Sequence, residues 1–255
     1  MVEYGLQMYS IRDLAKENLR EALKKVAELG YKYIEFAGFF GNTAEDVKSW
    51  LDEYGLICSG THTNIAELAP EKIEKTIEFH KTIGCENIIV PGMRFSNSDA
   101  VDLQIARLNY ADKVLKENGL RLGYHNHSRE FLPNRSGQIV EEEILGRTNI
   151  EIEVDTFWAY NSGIDAMAFL EANKDRISVI HLKDGIVATA ENHNYDNAHS
   201  GVSGKALGEG QAPVKDFRAW AMQNNVRMVV ESEGLDPTGA EEVGRCIRFL
   251  RSLED

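Results

Sequence analysis

Residues 99–127 read DAVDLQIARLNYADKVLKENGLRLGYHNH, and this stretch holds one complete unit of the fold. A segment of helical period runs over 99–118, Asn118-Gly119 stops it, and a short strand-like run follows at 120–124. Glycine or asparagine just past a periodic segment is a helix stop, because the left-handed turn that ends a helix suits those residues. The strand ends in polar side chains, His125-Asn126-His127.

The same unit recurs in both directions. Strand-like runs lie at 4–9, 31–36, 56–60, 86–90, 120–124, 150–155, 177–182 and 226–231. Between and after them, helical patterns fit 18–29, 44–54, 71–83, 99–118, 138–146, 164–173, 214–224 and 240–253. In the first of these, Leu19, Leu23, Val26, Ala27 and Leu29 fall largely on one face. The stops Gly30, Gly55, Gly84 and Gly119 repeat at intervals of about 30 residues, the length of a minimal strand-plus-helix unit, and Asn225 is a further stop near the end of the chain. Strands alternating with helices predict an α/β protein with a parallel sheet, and eight such units predict a single closed (β/α)8 TIM barrel spanning 1–255. An open doubly wound sheet would call for GxGxxG or GxxxxGK[ST] after an early strand, and neither occurs.

Composition bounds the function. The chain has 255 residues with 41 acidic and 28 basic side chains, a net charge of −13, which repels a phosphate backbone and argues against a nucleic-acid partner. No apolar stretch approaches the roughly 20 residues of a membrane span, and the opening MVEYGLQMYS lacks a basic, then apolar, leader pattern. A cytoplasmic protein is expected. Cys58, Cys85 and Cys246 are odd in number and widely spaced, which suggests buried thiols and neither disulfides nor a thiolate metal site. One connection is anomalous: residues 183–212 run about thirty residues with little apolar period, beyond the ~12–15 usual for a structureless loop. On a barrel this loop lies on the active face, so a lid or a subunit contact is expected.

Chemistry should collect where barrel strands end, since those ends surround one mouth. They supply Gln7 and Tyr9, Glu35, His62, His125 and His127 with Glu130 close behind, Asp155, His181 with Lys183 and Asp184, and Glu231 with Glu233. In Ile150-Glu151-Ile152-Glu153-Val154-Asp155 the three acids share a strand face. Asp155, the last, reaches the mouth, while Glu151 and Glu153 are expected to pair with basic neighbours near the bottom. Glu231 follows the apolar Met228-Val229-Val230, where an unpaired carboxylate is costly. His125 and His127, two apart, point the same way if the strand continues, as two ligands or a ligand and a base. Imidazoles and carboxylates on consecutive strands read as a mixed nitrogen and oxygen site for a divalent cation. Such a cation would acidify the proton α to a carbonyl, and a spare carboxylate or histidine would transfer that proton. Lys183 would act on the developing oxyanion, or else form a salt bridge beside Asp184.

At these residues the chain resembles the xylose isomerase-like TIM-barrel superfamily, which holds sugar isomerases and epimerases, endonuclease IV and inosose dehydratase. The resemblance runs from Gly5-Leu6-Gln7-Met8-Tyr9-Ser10 to Glu231. It is most specific at Tyr124-His125-Asn126-His127-Ser128-Arg129-Glu130-Phe131, at Val154-Asp155-Thr156, and at Ile180-His181-Leu182-Lys183-Asp184 with Gly208-Glu209-Gly210. It implies metal ligation by Asp155, His181 and Glu231. His125 stands where the superfamily usually has a glutamate, which leaves three alternatives: His125 completes the set, Glu130 reaches in, or the site binds metal weakly or not at all. The metal implied is Mn, Co, Mg or Zn. Tryptophan at 158 replaces the histidine of the nuclease DxxH element, which argues against an abasic-site nuclease.

The resemblance implies a divalent-metal-dependent sugar isomerase or epimerase that removes a proton α to the carbonyl of a small carbohydrate or polyol ketone. A keto-sugar dehydratase or lyase, and a non-catalytic sugar-binding barrel, are the alternatives. His127, Glu130, Lys183 and Glu231 are the expected catalytic groups. Glu35, His62, Trp158 and Glu209 are expected to bind substrate. Association into a homo-oligomer through mouth loops is an open expectation.

Overall fold

A computed structural model of the chain describes residues 1–188 and 193–254. Ten strands are present among the described residues: β1 (Gly5–Gln7), β2 (Tyr33–Phe36), β3 (Ile57–His62), β4 (Asn87–Val90), β5 (Arg121–His125), β6 (Glu151–Asp155), β7 (Ile177–Leu182), β8 (Asp184–Ile186), β9 (Ser203–Lys205) and β10 (Arg227–Val230). Eight of them close a barrel in the order β1-β10-β7-β6-β5-β4-β3-β2, each pair parallel. This is the (β/α)8 barrel that the repeating units predict.

Among the described residues ten α-helices accompany the strands: α1 (Arg12–Glu17), α2 (Leu19–Glu28), α3 (Ala44–Tyr54), α4 (Ile73–Ile83), α5 (Ser98–Glu117), α6 (Val140–Arg147), α7 (Thr156–Asn161), α8 (Ala166–Asn173), α9 (Val214–Asn224) and α10 (Gly239–Arg251). Their ends follow local chemistry. Asn18, Thr43, Asn97, Asp165 and Thr238 accept a backbone N–H in the first turn of α2, α3, α5, α8 and α10. At the other end, Gly55 and Gly84 take the left-handed turn that stops α3 and α4, with φ of 65° and 72°.

The structure adds two features to that reading. Helix α7 follows directly on Asp155, whose side chain caps it by accepting the N–H of Trp158. The long 183–212 connection is partly ordered as an antiparallel ribbon of β8 and β9, with Gly185 opposite Gly204. Residues 189–192 of that connection lie outside the described residues. Asp184 organises the rest: Oδ1 accepts from the N–H groups of Gly185 and Ala212, and Oδ2 from those of Gly208 and Gly210. A Cβ on Gly210 would overlap that carboxylate, so the distant Lys183-Asp184 and Gly208-Glu209-Gly210 segments are one structural unit.

Outside the barrel wall, aliphatic and aromatic side chains form the core between strands and helices. The inside is different. Gln7, Glu35, Glu153, Asp155 and His181 are fully or almost fully buried there, at 0–1% exposure, so a polar network replaces the usual aliphatic layers at the strand ends. Gly60 makes room for it, since a Cβ there would meet Glu35 Oε2 at 3.1 Å.

Candidate active site

Strand register decides which side chains meet. Gln7 pairs with Glu35, His125 with Glu153, and Asp155 with His181 in neighbouring strands, so these residues share one layer or adjacent layers of the barrel. Glu35 Oε1 accepts from Gln7 Nε2 at 2.7 Å, and lies 2.7 Å from His181 Nε2 and 3.1 Å from His62 Nε2. Glu153 Oε1 lies within reach of three imidazoles: 2.8 Å from His62, 3.1 Å from His125 and 3.0 Å from His181.

Charge in this network is sorted by burial and neighbours. Burial disfavours ionised Glu153, but His181, His125 and His62 outweigh it and hold its pKa well below the usual range. Burial likewise disfavours a charged His62, yet Glu35 and Glu153 lift it to about 9. His181 stands well above its ordinary value because Glu153 and Glu35 overcome the same burial. His125 goes the other way, to about 4: burial dominates, and the charged His181 and His62 add to it.

Above this layer, one set of donor atoms from His125, Asp155, His181 and Glu231 lies within 4.8 Å of one another. Asp155 is locked in place. Asn126 accepts its N–H at 3.0 Å and donates to its carbonyl at 3.3 Å, and Oδ1 caps α7 at 2.8 Å. Its Oδ2 is buried with no hydrogen-bond partner among the described residues. Each imidazole gives one nitrogen to a carboxylate behind it, His125 Nδ1 to Glu153 and His181 Nε2 to Glu35, while His181 Nδ1 faces Glu231 Oε2 at 3.3 Å. That is the outer-shell arrangement of metal-ligating histidines. Two nitrogen and two oxygen donors, one of them an orphaned buried oxygen, fit a divalent cation. A second set, His62, His125, Glu153 and His181, is also compact. Its Glu153 oxygen is already shared among the three rings, which makes it the poorer cation site.

Lys183 adds a positive charge beside the carboxylates. Its Nζ lies 3.2 Å from Glu231 Oε2, 2.9 Å from Glu233 Oε1 and 3.7 Å from Asp155 Oδ2, and 4.6 Å from the centre of the Trp158 ring. Burial disfavours its ammonium, but Glu231, Asp155 and Glu233 raise its pKa. Glu231 is correspondingly held ionised: burial opposes this, and Lys183 and His181 overcome it. Asp155 moves up to about 7, mainly by burial, with Lys183 opposing and Glu231 adding to the rise.

A cavity of about 970 Å³ opens over this cluster. His62, His125, His127, Trp158 and Glu231 line it, joined by His199 and Glu233. His127 is kept neutral by burial, reinforced by His125, His199 and Lys183. His199 comes from the ordered part of the 183–212 connection and stacks on Trp158 at 4.5 Å, forming one wall. Asn161 anchors that connection at two places, donating to Ala198 O and accepting from the N–H of Ala188.

The strand-end residues His62, His125, His127, Asp155, Trp158, His181, Lys183 and Glu231 are thus brought together. Glu35 joins them from beneath, fully buried and bonded to Gln7 and His181; like Asp155, His181 and Lys183, it lies behind the residues that line the cavity. Two residues lie elsewhere. Glu130 accepts from the Tyr124 hydroxyl and the His127 N–H, closing the turn after β5, and is absent from the cavity wall. Glu209 pairs with Arg245 at 2.8 Å on the outside of the molecule. Glu151 does pair with Arg121 near the bottom, at 3.4 Å, whereas Glu153 sits at the centre of the imidazole network. The shared strand face of Glu153 and Asp155 was the available signal for it.

A family model described as xylose isomerase-like TIM barrel matches residues 23–253. Inosose dehydratase from Geobacillus kaustophilus (strain HTA426) is 23% identical over 189 residues, 64% of this chain and 61% of that protein, so the match spans less than two thirds of the relative. A sugar phosphate isomerase/epimerase from Parabacteroides distasonis ATCC 8503 superposes with a TM-score of 0.80 at 24% identity, covering 97% of each chain. A probable 3-DHS dehydratase from Bacillus anthracis superposes with a TM-score of 0.76 at 14% identity, covering 98% of this chain and 99% of that one. At these identities the superpositions establish the fold alone. No helix among the described residues is long and apolar enough to cross a membrane.

Proposed function

The chain belongs to the xylose isomerase-like TIM-barrel family, and from that membership we propose that it is a divalent-cation-assisted isomerase or epimerase of a small carbohydrate ketone. The observation that carries this reading is the buried Asp155 Oδ2, without a hydrogen bond among the described residues and grouped with donor atoms of His125, His181 and Glu231, of which His125 and Glu231 line the cavity. These four residues would hold the cation. A divalent cation bound there supplies Lewis acidity, polarising a carbonyl and acidifying the adjacent C–H.

The chain's own groups do the rest. His127, neutral and lining the cavity, accepts a proton at a ring nitrogen. Glu231 is kept ionised by Lys183 and lines the same cavity, so two proton-transfer groups serve one substrate carbon. Lys183 offers its buried ammonium to negative charge developing on the substrate oxygen. Trp158, backed by the His199 ring, gives a flat apolar wall for the carbon face of a sugar and keeps water from it. Glu130 and Glu209 have no part in this reading, and Glu35 acts through His181 and His62.

Elimination begins with the same proton removal, and the similarity to inosose dehydratase favours a keto-sugar dehydratase as the second reading. Loss of water from the product separates the two reactions. The cation is tested by metal analysis of protein purified without chelator, in the wild type and in Glu231→Gln. The proposal expects a divalent metal near one per chain in the wild type and a large loss of both metal and turnover in the variant. Equal metal content and equal turnover would contradict it.

A further inference from the structure

The cavity is longer than the site just described. It extends from Glu231 and Trp158 across the mouth to the ends of β2 and β3 and to α4, where Phe39 and Phe79 line it. Its volume of about 970 Å³ is at the top of the ~300–1,000 Å³ usual for small-molecule sites. A single sugar ring seated over the cation cluster leaves this far arm empty.

The far arm is a built surface. The rings of Phe39 and Phe79 lie 4.2 Å apart, and Phe39 is backed by Phe36 at 5.0 Å. Beside them runs a hydrogen-bond chain whose direction can be worked out. His80 Nδ1 lies 2.6 Å from the carbonyl of Thr76, which only accepts, so Nδ1 carries the proton and Nε2 is an acceptor. Thr61 Oγ1, 2.6 Å from Nε2, therefore donates to His80. Thr63 Oγ1, 2.9 Å from Thr61 Oγ1, must in turn donate to Thr61. The Thr63 hydroxyl lines the cavity with its proton already committed, and so presents only lone pairs to a ligand. An apolar platform beside an oriented acceptor suits a sugar ring, which offers a C–H face and hydroxyl donors. A phosphoryl group would meet those lone pairs, with Lys75 as the one lysine among the lining residues and Glu67 paired with Lys72 at 2.8 Å.

We propose that this arm is a second-ring subsite, and that the substrate is a ketose carrying a glycosyl substituent, its keto unit over the cation cluster and its second ring between Phe79 and Thr63. The proposal rests on the carbohydrate-ketone reading above. His80 and Thr61 are positioning residues, since they act through Thr63.

Calorimetric binding to the cation-loaded protein tests it, with fructose as the one-ring probe and lactulose, maltulose and isomaltulose as two-ring probes. At least one disaccharide should bind roughly 10-fold or more tighter than fructose, a gain built from stacking and a hydrogen bond. Phe79→Ala should remove about 3- to 10-fold of that affinity while leaving fructose binding unchanged. Thr63→Val, which preserves volume, should lower it about 5-fold, and it decides the matter alone if Phe79→Ala does not fold. Disaccharides that bind no tighter than fructose, or do not bind, overturn the proposal. So do variants that weaken fructose equally. A retained disaccharide preference without exchange of the α proton in any ketose would instead sink the catalytic reading and leave the subsite standing.

Discussion

Lys183 Nζ lies 3.2 Å from Glu231 Oε2 with both side chains shut off from solvent, at 1% and 5% exposure. A buried ammonium beside three carboxylates is held by its partners, and removing one side of such a pair strands charge in a poorly solvating interior. Lys183→Met should therefore lower stability by about 3–5 kcal/mol in chelator, read by urea unfolding at pH 7. Added Mn²⁺ or Co²⁺ should recover much of that loss, because a cation can offset the same carboxylates. A variant as stable as the wild type, or indifferent to metal, would show that the pair is not what balances Asp155 and Glu231.

Glu153 is the common acceptor of His62, His125 and His181. Glu153→Gln keeps the shape, removes the charge and offers donors to rings that already donate. We expect a loss of about 3 kcal/mol or more in stability and at least a tenfold fall in divalent-cation affinity, since outer-shell partners of histidine ligands typically matter by ~10–100-fold. Titration calorimetry with Mn²⁺ reads the second effect, and unchanged affinity would refute the supporting role.

Asp184 ties four backbone N–H groups together beneath the ribbon. Asp184→Asn and Gly210→Ala attack the same unit from its two ends and should each cost about 2–3 kcal/mol. Their effects should fall short of additive, because both disturb one contact. Hydrogen exchange should rise in 203–212 in both variants. Protection equal to the wild type would mean that the carboxylate does not order the segment.

Glu141 is 2% exposed, and burial, with nearby Glu130 adding to it, raises its pKa from 4.5 to about 8. An acid with a raised folded-state pKa contributes stability that is complete below its unfolded value and is lost as pH rises through the folded value. The window is therefore pH 4.5 to about 8. Glu141→Gln, which cannot ionise, should match the wild type near pH 4.5 and exceed it by on the order of 3–5 kcal/mol at pH 8.5. Parallel stability curves for the two proteins across that range would contradict the assignment.

Much of this molecule is legible in local sequence. Gly55 and Gly84 end helices through backbone conformations that few other residues adopt, so the repeating unit shows without knowledge of the barrel. Asp155, His181 and Glu231 could be grouped because each ends a strand. Glu153 was misplaced for a physical reason. It shares a face with Glu151, and only the register with β5 and β7 decides how high each one stands in the barrel. Glu130 follows His127 closely enough either to reach the mouth or to close its own turn, and the tight turn after β5 selects the latter. The ribbon of β8 and β9 is short and contains glycine at Gly185 and Gly204, which erases the alternation that marks a strand. Phe39 and Phe79 meet only through tertiary structure, so no spacing in the chain could announce their platform.

The central claim is removal of a proton α to a ketone over a cation held by His125, Asp155, His181 and Glu231. Its most direct test is proton NMR of a panel of one-ring and two-ring ketoses in D₂O with the Mn²⁺-reconstituted protein, each read after quenching with chelator. The account predicts loss of the proton signal at the carbon next to the carbonyl for at least one ketose, abolished in Glu231→Gln. Full retention of that signal across the panel by metal-loaded protein would contradict it.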